Sequence, residues 1–192
     1  MRKMFLFMMV TLDGFMEGEN HDISWHNVDQ EFNDFAAKQL QEDMGTLVFG
    51  RTTYELMYSY WPNATPSDPK DAIVKDLMDT LPKIVVSHSL ENVQDEKNWK
   101  NVRVIKDNLK EEFEKLKSEE GKDIAVLGSN NVCVTLLEER LLDEIRIMIN
   151  PVVIGKGTPL FAGIQDKQKF GLQSTRTFRN GNVLLTYSVT HK

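Results

Sequence analysis

Three short stretches of this 192-residue chain combine glycine, hydroxyl, amide and cationic side chains in a way that suits phosphate binding. They are Gly50-Arg51-Thr52-Thr53, Ser87-His88-Ser89 and Gly128-Ser129-Asn130-Asn131. Each follows an apolar run of strand type, and the first and third lead straight into a helical pattern. Free main-chain N–H groups at a helix start attract anions, and the helix dipole adds to that attraction. Arg51 brings a planar fork that can hold a phosphate through two bonds. Any one of these stretches reads equally well as a capped turn. Together they point to a dinucleotide site, because ligands of open α/β sheets lie at the carboxyl ends of strands.

Other chemistries find little support. No Gly-x-Gly-x-x-Gly follows the first strand, and Gly155-Lys156-Gly157-Thr158 lacks the upstream glycine and the following helix of a Walker loop. His21, His26, His88 and His191 show no ligand spacing with one another or with Cys133, so no metal is expected. Cys133 falls on an apolar helical stripe, which suits core packing. A lone cysteine makes no internal disulfide, so nothing suggests an oxidising compartment. The formal charge of −6, with acidic and basic residues interspersed, argues against nucleic acid as partner. No run is long enough to span a membrane. The apolar Met4–Val10 behind Arg2 and Lys3 imitates a secretory leader. Asp13 follows soon and no small-residue cleavage pattern does, so a buried first strand and a cytoplasmic chain are expected.

The elements that would position these turns alternate. Strands are expected at Met4–Val10, Thr46–Gly50, Lys83–Ser87, Val102–Ile105, Asp123–Leu127 and Glu144–Ile149. Their apolar runs suit strands buried on both faces. A helix is expected from Asp29 to Asp43, with Phe32, Phe35, Ala36 and Leu40 on one face. Another starts at Arg51 and breaks at Trp61-Pro62. Asp68-Pro69 opens a third, with the cap and the proline in their favoured places. Asn108 with Glu111 resembles a capping box for a fourth. A fifth follows Gly128-Ser129-Asn130-Asn131 and carries Cys133, Leu136, Leu137 and Leu141. After Gly157 the helices stop, Pro151–Ile154 prolongs the extended path, and Asn180-Gly181 joins two last strands, about Lys169–Thr177 and Val183–Thr190. Strand–helix alternation implies parallel pairing. The expected fold is therefore α/β: a mainly parallel, twisted sheet flanked by helices, with a C-terminal antiparallel hairpin, in one domain over residues 1–192.

On these residues the chain resembles a known family. Thr11-Leu12-Asp13-Gly14-Phe15, Leu47 to Glu55, Ile84 to Ser87, Val126 to Ser129, Leu142 to Ile145 and Pro151 to Phe161 run in the order found in the reductase domain of riboflavin biosynthesis. More distantly they resemble dihydrofolate reductase. The resemblance implies a dihydrofolate reductase-like fold and NADPH lying extended over the sheet. It places Gly50, Arg51 and Thr52 at the adenosine-side phosphates, Ser87 near the adenine ribose, and Gly128, Ser129, Asn130, Asn131 and Val132 at the pyrophosphate. The family commonly carries a second glycine where Ser129 stands. Dihydrofolate reductases often add a third and then a basic residue, where this chain has Asn130 and Asn131, so the choice between NADPH and NADH stays open.

Dihydrofolate reductase uses a carboxylate on its first helix, and Asp29 is the nearest analogue here. Asp13 is the second candidate. Each also has an ordinary role to fill, Asp29 as a helix-start carboxylate and Asp13 as a turn residue before glycine. Trp25 and Trp61 offer flat faces for a heterocycle, although buried or rim packing is the simpler account of both. The expected function is NADPH-dependent reduction of a small heterocyclic substrate, of the riboflavin-precursor or dihydrofolate type, by a homodimer. The alternative is a non-catalytic nucleotide-binding or regulatory module that keeps the fold.

Overall fold

A computed structural model of the chain describes residues 1–91, 93 and 98–190; His191 lies outside them. In chain order the strands are β1 (Met4–Thr11), β2 (Phe15–Glu17), β3 (Met44–Gly50), β4 (Lys83–Val86), β5 (Val102–Ile105), β6 (Asp123–Val126), β7 (Glu144–Asn150), β8 (Thr158–Pro159), β9 (Phe170–Thr177) and β10 (Val183–Val189). The helices are α1 (Gln30–Glu42), α2 (Arg51–Tyr60), α3 (Pro69–Thr80), α4 (Leu109–Ser118) and α5 (Asn130–Glu138).

Eight strands form one sheet in the order β5-β4-β3-β6-β1-β7-β10-β9. From β5 through β7 every neighbouring pair is parallel, and β10 and β9 join antiparallel. This is the expected architecture. β1 sits centrally because it is apolar on both faces: seven of its eight residues are buried. Two clusters divide its side chains. Met4, Leu6, Met8 and Val10 face α4 and α5, with Phe113, Cys133 and Leu136. Phe5 faces Leu40, Leu47, Val85 and Trp99 on the opposite side.

Local signals explain most boundaries. Asp29 caps α1, its carboxylate accepting from Phe32 N at 2.9 Å. Asp68 caps α3, accepting from Lys70 N and Asp71 N, with Pro69 at the first helical position.

Several expectations are corrected. The side chain of Asn108 makes no cap bond; its backbone is left-handed (φ 55°), so there is no capping box at α4. Asparagine is the non-glycine residue that best tolerates this conformation. Pro151–Ile154 forms no strand. Instead Thr158–Pro159 pairs antiparallel with Phe15–Glu17, a small ribbon outside the main sheet. The final hairpin turns through Phe178–Asn182, with Gly181 N donating to Phe178 O and Phe178 N donating to Asn182 O. Gly181 has φ 91°, which glycine adopts without steric cost. On α1 the apolar face is narrower than its sequence suggests: Leu40 is buried, while Phe32, Phe35 and Ala36 are half-buried. No helix among the described residues is long and apolar enough to cross a membrane.

Candidate functional site

The parallel strands end along one edge, where β4, β3 and β6 are immediate neighbours. The three turns that follow them therefore converge. Gly50 N donates to Gly128 O at 2.8 Å, joining the first turn to the third. Arg51 Nη1 donates to Ser89 Oγ at 3.2 Å, joining the first to the second. Ser87 Oγ accepts from Leu90 N at 3.1 Å. The Gly128–Ser129 peptide is cis.

Two glycines let the backbones come this close. A Cβ on Gly50 would collide with Ser129 Oγ and press against Val132 Cγ2 at 3.1 Å. Gly128 has φ 115°, and a Cβ there would meet Thr53 Oγ1 at 2.8 Å. The buried side chain of Val132 fills the space behind this contact, so what it can offer a ligand is its N–H.

Both helices opening at the site, α2 and α5, begin with no side-chain cap and no acidic residue in the first turn. By contrast, α1 and α3 are capped by aspartates and carry Glu31 and Asp71 in their first turns. An uncapped start without carboxylates leaves donor groups and the positive dipole end for an anion. Exposed Arg51 adds a guanidinium whose other contact is a long, solvent-exposed pairing with Glu55 at 3.7 Å. The residues present thus fit a diphosphate. Asn130 Nδ2 donates to Ala162 O at 3.0 Å and ties the start of α5 to the 160s loop, while Asn131 is exposed.

The two carboxylate candidates have structural duties. Asp29 Oδ1 is the α1 cap. Asp13 accepts from Gly155 N at 2.8 Å and from Ile154 N at 3.4 Å. A hydrogen bond from Thr11 and these two amides hold its carboxyl below the usual carboxylate range. It is ionised at neutral pH, which suits a tie for the 150s loop better than proton donation.

The tryptophans lie apart. Trp25 packs with Met9, Met148, Phe178 and Leu184, its Nε1 donating to Asp22 O at 3.1 Å. Trp61 packs in the cluster with Phe5 and Leu47, its indole against Met57 Sδ. They form no common stacking clamp. Cys133 is fully buried and desolvation pushes its thiol up to about 12, so it is no nucleophile. No group of three or more metal-binding side chains occurs among the described residues.

Sequence reasoning missed two polar constellations. In the first, buried Asn150 accepts from Asn27 N at 2.9 Å through Oδ1 and donates to Val10 O and Met148 O. Asn27 Nδ2 donates to Asn180 O at 2.7 Å, and Asn180 Nδ2 and Asn182 Nδ2 both donate to Asn27 O. These four residues strap the loop carrying Trp25 and His26 to the end of β7 and to the last hairpin. His26 is driven down to about 4 by burial, against the pull of Asp22, and its Nε2 is buried without a partner. In the second, Glu17 stands between His21 and Thr158. No local spacing marks the asparagine strap, since its members meet across as many as 155 residues.

Comparison with known proteins agrees with the fold. The RibD C-terminal domain family matches residues 2–184. The chain is 33% identical over 188 residues to the uncharacterised Bacillus subtilis protein YyaP, covering 97% of this chain and 94% of that one. Among solved structures, a Shewanella sp. PV-4 protein named for riboflavin biosynthesis superposes with a TM-score of 0.74 at 22% identity, over 98% of this chain and 99% of that one. The Thermotoga maritima diaminohydroxyphosphoribosylaminopyrimidine deaminase/5-amino-6-(5-phosphoribosylamino)uracil reductase gives 0.71 at 15% identity, over 98% of this chain and 57% of its own. At these identities the structural matches speak to fold, whereas the match over nearly the whole chain speaks to descent: the protein belongs to the RibD C-terminal domain family.

Proposed function

We propose that the chain is an NADPH-dependent reductase of a small heterocyclic substrate, of the 5-amino-6-(5-phosphoribosylamino)uracil or dihydrofolate type. The observation that carries this reading is the meeting of three turns at one sheet edge, locked by the bond from Gly50 N to Gly128 O. In it, Gly50, Arg51 and Thr52 hold the adenosine-side phosphates, and the Ser87 hydroxyl donates to the adenine ribose. Main-chain N–H groups from Gly128 to Val132 hold the pyrophosphate. The bound cofactor would supply hydride, and the protein would orient it. The named activity of the Thermotoga maritima relative supports the reaction class.

We also propose a homodimer. Ile147, Ile149, Val183, Leu185 and Tyr187 alternate onto one face of β7 and β10 and are only half-buried, with exposed Leu172 opposite Tyr187. None of these six side chains is charged, so two copies can meet through them without like-charge contact.

Turnover tests the enzymatic reading: oxidation of NADPH should depend on one member of a panel of pyrimidine, pterin and imine substrates. Cofactor binding without turnover on any of them would leave a binding module in its place.

A further inference from the structure

We propose that His21, oriented by Glu17 and Thr158, is the proton donor of the reduction. This rests on the reductase reading above.

The three residues line a shallow, solvent-open depression of about 460 Å³ between the β2–β8 ribbon and the 155–158 loop. His21 Nδ1 lies 2.9 Å from Glu17 Oε2. Thr158 Oγ1 donates to Glu17 Oε1 at 2.8 Å, so both carboxylate oxygens are engaged. The Glu17 side chain is 16% exposed and that of His21 62%, which leaves the far edge of the ring open to the depression. A carboxylate on Nδ1 fixes the imidazole tautomer and leaves Nε2 to exchange protons.

The backbone is shaped to hold this pair. Asn20 and His21 are both left-handed (φ 59° and 60°), a conformation uncommon for residues other than glycine. Gly157 has φ 146° and packs so tightly on Glu17 O that no Cβ would fit. Strain of this kind gathers where a side chain must be aimed.

The position also fits. Adenosine-side phosphates at the end of β3 lie three strand positions from β7, about 14 Å at roughly 4.8 Å per strand. An extended dinucleotide bound there can span that distance, which would bring its reacting ring to the ends of β1 and β7. The β2 and β8 segments that line the depression follow those two strands in the chain. Asp13 and Asp29 are committed to main-chain amides, whereas His21, which shares its depression with Glu19 and Lys156, has a ring held by a carboxylate on one edge and open on the other.

In the step itself, hydride from the reduced nicotinamide forms a C–H bond as the π bond of the substrate C=N or C=O breaks. The Nε2 proton of the His21 imidazolium passes to the substrate nitrogen or oxygen. The imidazole is left neutral and regains its proton from solvent. The cofactor is oxidised by two electrons and the substrate reduced by two.

The test uses full-length protein with ¹⁵N-labelled histidine, titrated with NADPH while cofactor binding is followed by fluorescence. The ring resonances of His21 should shift on cofactor binding, and Glu17→Gln should redistribute its tautomers. His21→Asn should keep NADPH affinity and KM while lowering kcat by roughly 10²- to 10⁴-fold. NADPH binding that leaves the His21 resonances unmoved overturns the assignment while the dinucleotide site stands. Absence of any NADPH binding overturns the reductase reading, and this assignment with it.

Discussion

The main-chain N–H of Gly50 donates to the carbonyl of Gly128 across 2.8 Å, and this bond joins the ends of two neighbouring parallel strands. It brings the starts of α2 and α5 together at the sheet edge. The approach depends on the missing Cβ at Gly50, since Ser129 and Val132 occupy the space a side chain would need.

Gly50→Ala should therefore open the turn. The expected cost is about 1–3 kcal/mol of stability, the range for overpacking a filled site. It should come with weaker NADPH binding. Urea denaturation and calorimetric titration of the variant measure the two effects.

Asp29 separates capping from chemistry. Asp29→Asn keeps the acceptor for Phe32 N, whereas Asp29→Ala loses it. The alanine variant should lose about 1 kcal/mol and the asparagine variant much less. Chemical denaturation checks the pair. Turnover by Asp29→Asn close to that of the parent would confirm that the carboxylate serves α1 rather than proton transfer.

His26 sets a pH dependence. Burial lowers it to about 4, against about 6.5 in the unfolded chain. Between these values the unfolded state binds more protons, so stability is full above 6.5 and is lost as pH falls toward 4. From pH 7 to pH 5 the loss should be on the order of 2 kcal/mol. Denaturant unfolding of the parent and of His26→Asn at both pH values should show a smaller loss in the variant.

The apolar face of β7 and β10 bears on assembly. Leu185→Lys places a charge at its centre and should convert a dimer to a monomer with the fold intact. Sedimentation equilibrium distinguishes the two states. A parent chain that sediments as a monomer would remove the dimer.

Much of this was legible because parallel strands buried on both faces write themselves as unbroken apolar runs, as in Met4–Val10 and Thr46–Gly50. The turns after Gly50, Ser87 and Gly128 were legible for a related reason: small and polar residues interrupt those runs abruptly. The β2–β8 ribbon was not, because strands of three and two residues are too short for any alternation. Glu17 and His21 are four apart like a helical pair, yet they meet across an irregular turn whose left-handed residues no periodicity marks. The strap of Asn27, Asn150, Asn180 and Asn182 depends wholly on tertiary approach. At Asn108 the residue type was right for a cap, and the backbone used its tolerance of positive φ instead.

In the proposed reading, the turns at Gly50, Ser87 and Gly128 hold a reduced nicotinamide dinucleotide. Fluorescence titration with NADPH, repeated with Arg51→Ala, tests it most directly. The parent should bind saturably and the variant, whose phosphate fork is gone, roughly tenfold more weakly. A parent chain that binds neither NADPH nor NADH at millimolar concentration would contradict it.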